Sequence, residues 1–134
     1  MSKDLANKIR AANTALLVDG DVDAIGEYFT DDYVAHLTSS EMTGVRGVKT
    51  FLNRLRKAFP KLEVEVDVLV TSKDRIAWQR TLTGKHAGEY VGFPATGRRM
   101  VWRDMATSVF RAGKIAEEWV ISDLAEQLLR AKKR

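Results

Sequence analysis

The carboxylate of Asp104 is the group in this sequence best placed for acid/base chemistry. If residues 98–111 form a β-strand, Asp104 lies on the same face as the large apolar side chains of Met100 and Trp102. Removing a proton from the carbon beside a carbonyl requires a carboxylate in apolar surroundings and a hydrogen-bond donor for the enolate oxygen. The pattern therefore favours Asp104 as the base of such a reaction.

Ion pairing offers a different interpretation of the same aspartate. Arg80 lies on the preceding predicted strand, and Arg103 is the neighbour of Asp104 in the chain. A pair with either guanidinium would hold the carboxylate ionised and make its role structural. The residues alone leave both interpretations open.

A glycine-rich loop between two predicted strands carries further candidate groups. Residues 83–98 contain four glycines and Pro94, and these residue types shape a loop by allowing or fixing particular backbone angles. Loops held by strands often carry binding and catalytic residues. We expect His86, inside this loop, to hold the loop in place beside a ligand, with direct chemistry as the alternative.

Four aromatic side chains are candidate ligand contacts. Trp78, Trp102 and Trp119 lie on three different predicted strands, and Phe51 lies on a predicted helix. Together they could surround a small apolar ligand. Packing in the core is the alternative role for a tryptophan on a strand.

Composition limits the cofactors that the protein can bind. Its 134 residues include no cysteine and two histidines, which excludes disulfides and cysteine-ligated metal and leaves little for a histidine-rich site. No glycine loop precedes a helix in the manner of a phosphate-binding motif. We therefore expect neither a metal nor a cofactor.

Charge and hydropathy make nucleic acids and membranes poor partners. The formal net charge is +4, but four positive charges lie at the C-terminus, so the rest of the chain is close to neutral; they belong to Arg130, Lys132, Lys133 and Arg134. No stretch is apolar enough to span a bilayer, and the chain begins with a charged amphipathic segment. We expect a cytoplasmic protein that binds neither nucleic acid nor membrane.

Residue periodicity predicts helices first and strands afterwards. Apolar residues recur at helical spacing in the first part of the chain, and they alternate with polar residues later. The predicted helices are 5–16, 22–29, 48–59 and 124–129, and the predicted strands are 62–71, 75–83, 98–111 and 115–119. This order predicts one α+β domain over residues 1–134, with helices packed on one face of a single antiparallel sheet.

The later predicted strands are apolar on both faces. On the strand that carries Asp104, the opposite face presents Val101, Met105 and Val109. Helices can cover only one face of a sheet, and a second subunit is the simplest cover for the other. We therefore expect a homodimer.

Several separated segments resemble the SnoaL-like polyketide cyclases of the nuclear transport factor 2-like superfamily. They are Phe29–His36, Ala58–Leu62, the loop 83–98, Gly113–Trp119 and Asp123–Leu124, and they span nearly the whole chain. The resemblance implies a cone-shaped, curved sheet covered by N-terminal helices, with a deep apolar pocket between them. Cyclases, isomerases, dehydratases, hydrolases and proteins without catalysis share this fold, so the resemblance leaves the activity open.

The resemblance also implies roles for three residues. In cyclases of this family a pocket aspartate is the acid and base of an intramolecular aldol condensation, without metal or nucleotide, and Asp104 is similar to it. The family's pocket histidine corresponds by spacing to Tyr90, whose hydroxyl can donate to an enolate oxygen but shuttles protons poorly at neutral pH. His36 resembles an early histidine of the family and could supply a further donor; a backbone-bonded histidine is the alternative.

Three functions of different classes are compatible with these residues. The first is a cofactor-independent acid/base enzyme that acts on a small apolar carbonyl compound as a cyclase, isomerase or lyase, with Asp104, His36 and Tyr90 as catalytic residues. The second is a non-catalytic pocket protein that binds or senses such a ligand. The third is a protein-interaction module. A free carboxylate edge on Asp104 favours the enzyme, whereas a satisfied ion pair favours the binding protein.

Overall fold

Residues 2–38 and 40–132 are described by the structure, a computed structural model, with side chains described from residue 4 onward. Lys133 and Arg134, the end of the basic tail, lie outside the described residues. No helix in the described part of the chain is long and apolar enough to cross a membrane.

Within these described residues, four α-helices contact the sheet. They are α1 (Ser2–Asn13), which continues through a π-helical turn (Thr14–Val18), α2 (Ile25–Tyr28), which follows a 3₁₀ turn (Val22–Ala24), α3 (Gly44–Ala58) and α4 (Leu124–Lys132). The apolar residues that recur at helical spacing, such as Ile9 of α1 and Leu52 of α3, are buried against the sheet. Phe29, which the helical pattern includes in the second helix, instead begins a strand because α2 ends at Tyr28.

In the part of the chain that the structure describes, six strands form one curved, open sheet. They are β1 (Phe29–His36), β2 (Glu41–Thr43), β3 (Glu63–Thr71), β4 (Arg75–Lys85), β5 (Arg99–Arg111) and β6 (Lys114–Ser122). Their order is β2-β1-β6-β5-β4-β3, and every pairing is antiparallel except that of β1 with β6. The α+β class is therefore confirmed. The periodicity predicts the last four strands but not β1 and β2, and the parallel pairing makes the sheet mixed.

Side chains on β5 alternate between the two sides of the sheet. Met100, Trp102 and Asp104 are buried on the inner side, whereas Val101 and Arg103 are exposed on the outer side. This alternation is the normal consequence of a pleated strand. The shared face of Asp104 and the large apolar residues, which the sequence predicts, is confirmed.

A two-residue turn joins β5 to β6 and a bulge follows it. Ala112 and Gly113 have φ of 52° and 80°, the positive values of the tight turn that suits a twisted hairpin. Between Val109 and Phe110 the register shifts by one residue, so that Ser108 lies opposite Glu118. The bulge therefore decides which residues of β6 face the interior.

The outer face of the sheet carries exposed apolar side chains at its centre. Met105 of β5 lies opposite Ile121 of β6, and they are 52% and 70% exposed. Val101 and Trp119 are also exposed. The second apolar face that the sequence predicts is therefore present, and its apolar side chains are exposed.

Candidate functional site

A cavity of about 390 Å³ lies between the helices and the inner face of the sheet. This volume is in the range of sites that bind small molecules. The wall is mostly apolar and comes from α1, α3, α4, the loop between β4 and β5, and the strands. The polar side chains of the wall include Asn13, Tyr33, Arg80, Tyr90, Asp104 and Glu118.

Asp104 lies in this wall and is paired with Arg80. The two residues are opposite each other on β5 and β4, and Nε of Arg80 donates to Oδ2 of Asp104 at 2.8 Å. Nη1 of Arg80 donates to Oδ1 of Asn13 at 2.9 Å, and the guanidinium lies 5.5 Å from the ring centroid of Trp78. The ion pair considered as the alternative is therefore present with Arg80, whereas Arg103 lies on the other side of the sheet.

The other oxygen of Asp104 has no such partner. Oδ1 is buried and makes no hydrogen bond with the side chains and backbone of residues 2–38 and 40–132. Buried polar atoms without a partner are uncommon in native proteins, and each calls for a physical reason. Arg80 thus fixes the orientation of the carboxylate through Oδ2, and Oδ1 is left without a partner among the described residues.

Tyr90 lies in the same wall, on the loop between β4 and β5. Burial raises the pKa of its hydroxyl; the charge of Asp104 raises it further, and that of Arg54 opposes the shift. The hydroxyl therefore stays protonated at neutral pH and can donate a hydrogen bond. The backbone groups of Tyr90 and Phe93 exchange two hydrogen bonds of 2.9 Å, which hold this part of the loop in shape.

Three of the four aromatic candidates line the cavity. They are Phe51 of α3, Trp78 of β4 and Trp102 of β5. The indole N–H of Trp78 donates to Oγ of Ser108 at 2.9 Å, and the ring of Trp102 packs 4.6 Å from that of Phe59. Both tryptophans are also part of the core, so their packing and any ligand contact use the same rigid surface.

His86 anchors the loop and does not line the cavity. It is fully buried, its Nδ1 lies 3.2 Å from Oγ1 of Thr96, and its ring stacks on Phe59 at 5.2 Å. Its backbone N–H donates to the carbonyl of Arg98, and its carbonyl accepts from the N–H of Gly97. Burial lowers the pKa of the imidazole. The loop-holding part of the expectation agrees with these contacts, whereas the ring does not reach the cavity wall.

A second carboxyl group lies in the wall, that of Glu118 on β6, and no local sequence pattern indicates it. Its Oε1 forms a hydrogen bond with the hydroxyl of Tyr33, and its Oε2 forms one with the hydroxyl of Ser108. Ser108 also accepts from the indole of Trp78. Burial raises the pKa of Glu118, against the opposing effects of both hydroxyls and of the charge of Arg80.

Comparison with known protein families assigns the chain. A profile of the family described as SnoaL-like polyketide cyclase matches residues 7–130, which include every side chain of the cavity named above. The chain belongs to the SnoaL-like polyketide cyclase family. No curated protein matches it.

Three solved structures are similar to this chain over nearly its whole length. AclR, a proposed hydroxylase from Streptomyces galilaeus, is 27% identical with a TM-score of 0.82, and the match covers 100% of this chain and 98% of AclR. IdmH, a proposed polyketide cyclase from Streptomyces antibioticus, is 26% identical with a TM-score of 0.80, over 96% and 98% of the chains. A third structure, of a proposed polyketide cyclase from Acidithiobacillus ferrooxidans, has the same fold. It is 20% identical with a TM-score of 0.85, and the match covers 99% of this chain and 97% of that protein.

In this SnoaL-like chain, His36 lies on the outer side of the sheet. Because side chains alternate along β1, Tyr33 faces the core and His36 faces outward. Its Nδ1 lies 2.8 Å from the carboxylate of Glu41, its Nε2 lies 2.6 Å from that of Glu117, and its ring stacks on Trp119 at 5.0 Å. The pocket roles expected for His36 and Trp119 do not fit these positions, since neither side chain lines the cavity.

The predicted site residues of this SnoaL-like protein thus fall into two groups. Those in the cavity wall are Asp104, Tyr90, Trp78, Trp102 and Phe51, and those outside it are His36, His86 and Trp119. Among the described residues, no group of three or more His, Cys, Asp or Glu side chains is arranged to hold a metal ion. That the protein uses no cofactor stays a prediction.

Proposed function

We propose that this protein is a cofactor-independent acid/base enzyme that enolises a small apolar carbonyl compound, as a cyclase, isomerase or lyase. The observation that carries the proposal is the buried carboxylate of Asp104, which lines an apolar cavity and has one oxygen without a partner among the described residues. Membership in a family named for polyketide cyclases supports the same class of substrate.

Asp104 is the base of the proposed first step. A bound substrate places the C–H bond next to its carbonyl against this carboxylate; the proton moves to a carboxylate oxygen, and the electron pair moves into the carbonyl to form an enolate. Arg80 holds Oδ2, so the carboxylate keeps its orientation during the transfer. The hydroxyl of Tyr90 donates a hydrogen bond to the enolate oxygen, where negative charge develops.

Ring closure would use the same groups. The enolate carbon attacks a second carbonyl of the same molecule, which forms one carbon–carbon bond and converts that carbonyl oxygen into an alkoxide. Protonated Asp104 then returns its proton to the alkoxide, so the reaction needs neither oxidant nor reductant. In a substrate without a second carbonyl, return of the proton to a different carbon gives an isomerisation.

Hydrogen exchange in a simple bicyclic ketone tests this proposal without knowledge of the natural substrate. In D₂O, NMR follows the loss of the hydrogens next to the carbonyl of 2-tetralone. We expect the wild-type protein to accelerate exchange and Asp104→Asn to reduce the acceleration about 100-fold, the usual scale for loss of a general base. Asp67→Asn, which alters an exposed carboxylate of β3, is the matched control and should keep the wild-type rate. If Asp104→Asn exchanges these hydrogens at the wild-type rate, the proposal is contradicted.

A non-catalytic ligand-binding protein is the second candidate, and the ion pair favours it. If the main task of Asp104 is to hold Arg80 and Asn13 at the cavity wall, the pair is structural. The same experiment separates the two functions. The binding protein would take up 2-tetralone without accelerating exchange, and Asp104→Asn would then have no rate to lose.

The proposed assembly is a homodimer formed through the outer face of the sheet. Its apolar centre includes Met105, Ile121 and Trp119, with Arg103 at the end near Met105 and Glu117 at the end near Trp119. When two such faces stack with their strands in opposite directions, the arginine end of one copy lies against the glutamate end of the other. This charge distribution favours a second copy over a partner with a uniformly charged surface.

A further inference from the structure

We propose that the cavity contains a second polar site, in which the hydroxyl of Tyr33, oriented by neutral Glu118, donates a hydrogen bond to an oxygen atom of the ligand. Both residues line the cavity, and neither takes part in the steps assigned to Asp104. The inference rests on the proposed use of the cavity for apolar, oxygen-bearing compounds, but not on catalysis. Tyr33 is the ligand contact, and Glu118 acts through Tyr33 as a positioning residue.

The directions of the hydrogen bonds around Glu118 follow from Trp78. An indole N–H can only donate, so Oγ of Ser108 is the acceptor of the 2.9 Å bond from Trp78. The single hydroxyl proton of Ser108 therefore points to Oε2 of Glu118. Because Oε2 already accepts a proton from Ser108, the acidic proton of a neutral Glu118 resides on Oε1, which faces Tyr33.

The protonation state of Glu118 sets the direction of the Tyr33 hydroxyl. When Glu118 is ionised, Tyr33 donates to Oε1 and has no proton left for a ligand. When Oε1 carries a proton, it donates to the oxygen of Tyr33, and the hydroxyl proton of Tyr33 is available to another acceptor. Tyr33 lines the cavity, so we assign this proton to an oxygen atom of a ligand bound there.

The surroundings of Glu118 favour its neutral form. It is buried, and within the described part of the chain it forms no salt bridge with a lysine or arginine, whereas the hydroxyls of Tyr33 and Ser108 oppose the effect of burial. Burial is the largest influence on its pKa and raises it, and the nearby positive charge of Arg80 is already engaged by Asp104 at 2.8 Å. A buried carboxyl group without a paired cation tends to keep its proton.

The two polar sites are separated along the sheet. Glu118 lies opposite Ser108, which is four residues from Asp104 on β5, or about 13 Å between Cα atoms at roughly 3.3 Å per residue. The charge of Asp104 acts on the hydroxyl of Tyr90, whereas Glu118 forms a direct hydrogen bond with the hydroxyl of Tyr33. A ligand that uses both sites therefore carries oxygen atoms at two separated positions on an apolar framework.

Two ketones of nearly the same shape test the contact with Tyr33. The probes are 6-methoxy-2-tetralone, which has an acceptor oxygen remote from its ketone, and 6-ethyl-2-tetralone, which lacks it. We expect Tyr33→Phe to shift the ratio of the two Kd values about fivefold against the methoxy compound, the effect of one neutral hydrogen bond. Tyr90→Phe, at the other polar site, is the control and should leave the ratio unchanged. An unchanged ratio in Tyr33→Phe, or no saturable binding of either ketone to wild type, overturns the inference.

Substitutions of Glu118 test its protonation state. Glutamine offers a carbonyl acceptor to Ser108 and an N–H donor to Tyr33, as a neutral carboxyl group does, so Glu118→Gln should retain the preference for the methoxy compound. Glu118→Leu offers neither group and should lose it. If Glu118→Leu does not fold, the infrared spectrum decides: we expect a carboxylic acid carbonyl band in wild type at neutral pH that is absent from Glu118→Gln. No such band, or loss of the preference in Glu118→Gln, contradicts the inference.

The Asp104→Asn variant keeps this inference distinct from the proposed catalytic function. It should lose the exchange of 2-tetralone hydrogens but keep the wild-type ratio of the two Kd values. If the wild-type protein fails to accelerate exchange while Tyr33→Phe shifts the ratio, the catalytic proposal fails and the Tyr33 site stands. If exchange depends on Asp104 while Tyr33→Phe leaves the ratio of the two Kd values unchanged, the Tyr33 site is refuted and the catalytic proposal stands.

Discussion

Arg80 donates to one oxygen of Asp104, at 2.8 Å, and its second hydrogen bond goes to Asn13 of α1 at 2.9 Å. A guanidinium can bind both oxygens of a carboxylate with two parallel hydrogen bonds, but here a helix residue takes the second one. Asn13 is itself held, because its amide donates to the carbonyl of Ile9 at 2.9 Å. The position of the carboxylate is therefore set jointly by strand β4 and helix α1, and Oδ1 is left over.

Replacing the guanidinium of Arg80 should destabilise the fold. We expect Arg80→Gln to lower the free energy of unfolding by about 3 kcal/mol, because a largely buried carboxylate loses its cation. Urea denaturation at neutral pH measures the change. The double variant Arg80→Gln/Asp104→Asn has no uncompensated charge and should be less destabilised than the single variant. Equal destabilisation of both would assign the effect to the packing of Arg80 and not to its charge.

His36 should make the stability of the protein depend on pH. The hydrogen bond to Glu117 is the main cause that raises the pKa of His36, and Glu41 adds to it. A group with a raised folded-state pKa stabilises the fold fully below its ordinary value of 6.5, and this contribution disappears as the pH rises through the folded-state pKa. His36→Gln should remove this loss, as denaturation midpoints at several pH values between about 5 and 9 would show.

The other histidine serves as the control for that measurement because its effect has the opposite sign. Burial lowers the pKa of His86, so its contribution is present above the ordinary value and is lost as the pH falls through the folded-state pKa. His86→Gln should therefore change the acidic side of the profile. A loss of stability above neutral pH that persists in His36→Gln would refute the role assigned to His36.

A side chain at Gly88, in the loop between β4 and β5, should destabilise the fold. A Cβ atom there would lie 2.7 Å from the carbonyl oxygen of Lys57, at the end of α3, where Gly88 and Ala87 both donate to the carbonyl of Ala58. We expect Gly88→Ala to cost about 1–3 kcal/mol of unfolding free energy, the usual range for overpacking. Gly26→Ala, with no atom within 4 Å of its Cβ, is the matched control and should be nearly neutral.

The proposed dimer should dissociate when a charge enters its apolar centre. Met105→Glu places a carboxylate on the exposed outer side of β5, next to Ile121, and should convert a dimer into monomers in sedimentation experiments at micromolar concentration. Leu129→Glu, a similar change at an exposed position of α4, should leave the assembly intact. A wild-type protein that sediments as a monomer would refute the proposed interface.

Local periodicity was sufficient to predict most of the fold but not the edge built by β1 and β2. The long strands β3, β4 and β5 alternate over most of their length, which makes their pattern clear, whereas β6 alternates only after its bulge. β1 instead begins with residues of a helical pattern, carries the adjacent acidic residues Asp31 and Asp32, and pairs in parallel with a strand far away in the chain. The residues near β1 contain no pattern that predicts its pairing with β6.

The sequence pattern is sufficient for the position of those candidate residues that a single strand determines. The parity of β5 placed Asp104 and Trp102 in the interior, whereas Glu118 required the register between two strands. A regular hairpin around Ala112 and Gly113 would set Glu117 opposite Ser108, but the bulge after the turn sets Glu118 there instead. His36 was misplaced for a related reason, because its side of the sheet depends on a strand that the pattern does not reveal.

The parallel pairing of β1 with β6 has a consequence for the synthesis of the chain. β1 leaves the ribosome early, but its neighbour at the centre of the sheet is the last strand to be made. Until residues 114–122 emerge, the inner edge of β1 has no partner and the apolar faces of the first helices lack part of their cover. We expect nascent chains that stop before residue 114 to be digested rapidly by proteases and retained by chaperones, and the released protein to become resistant only after β6 has paired.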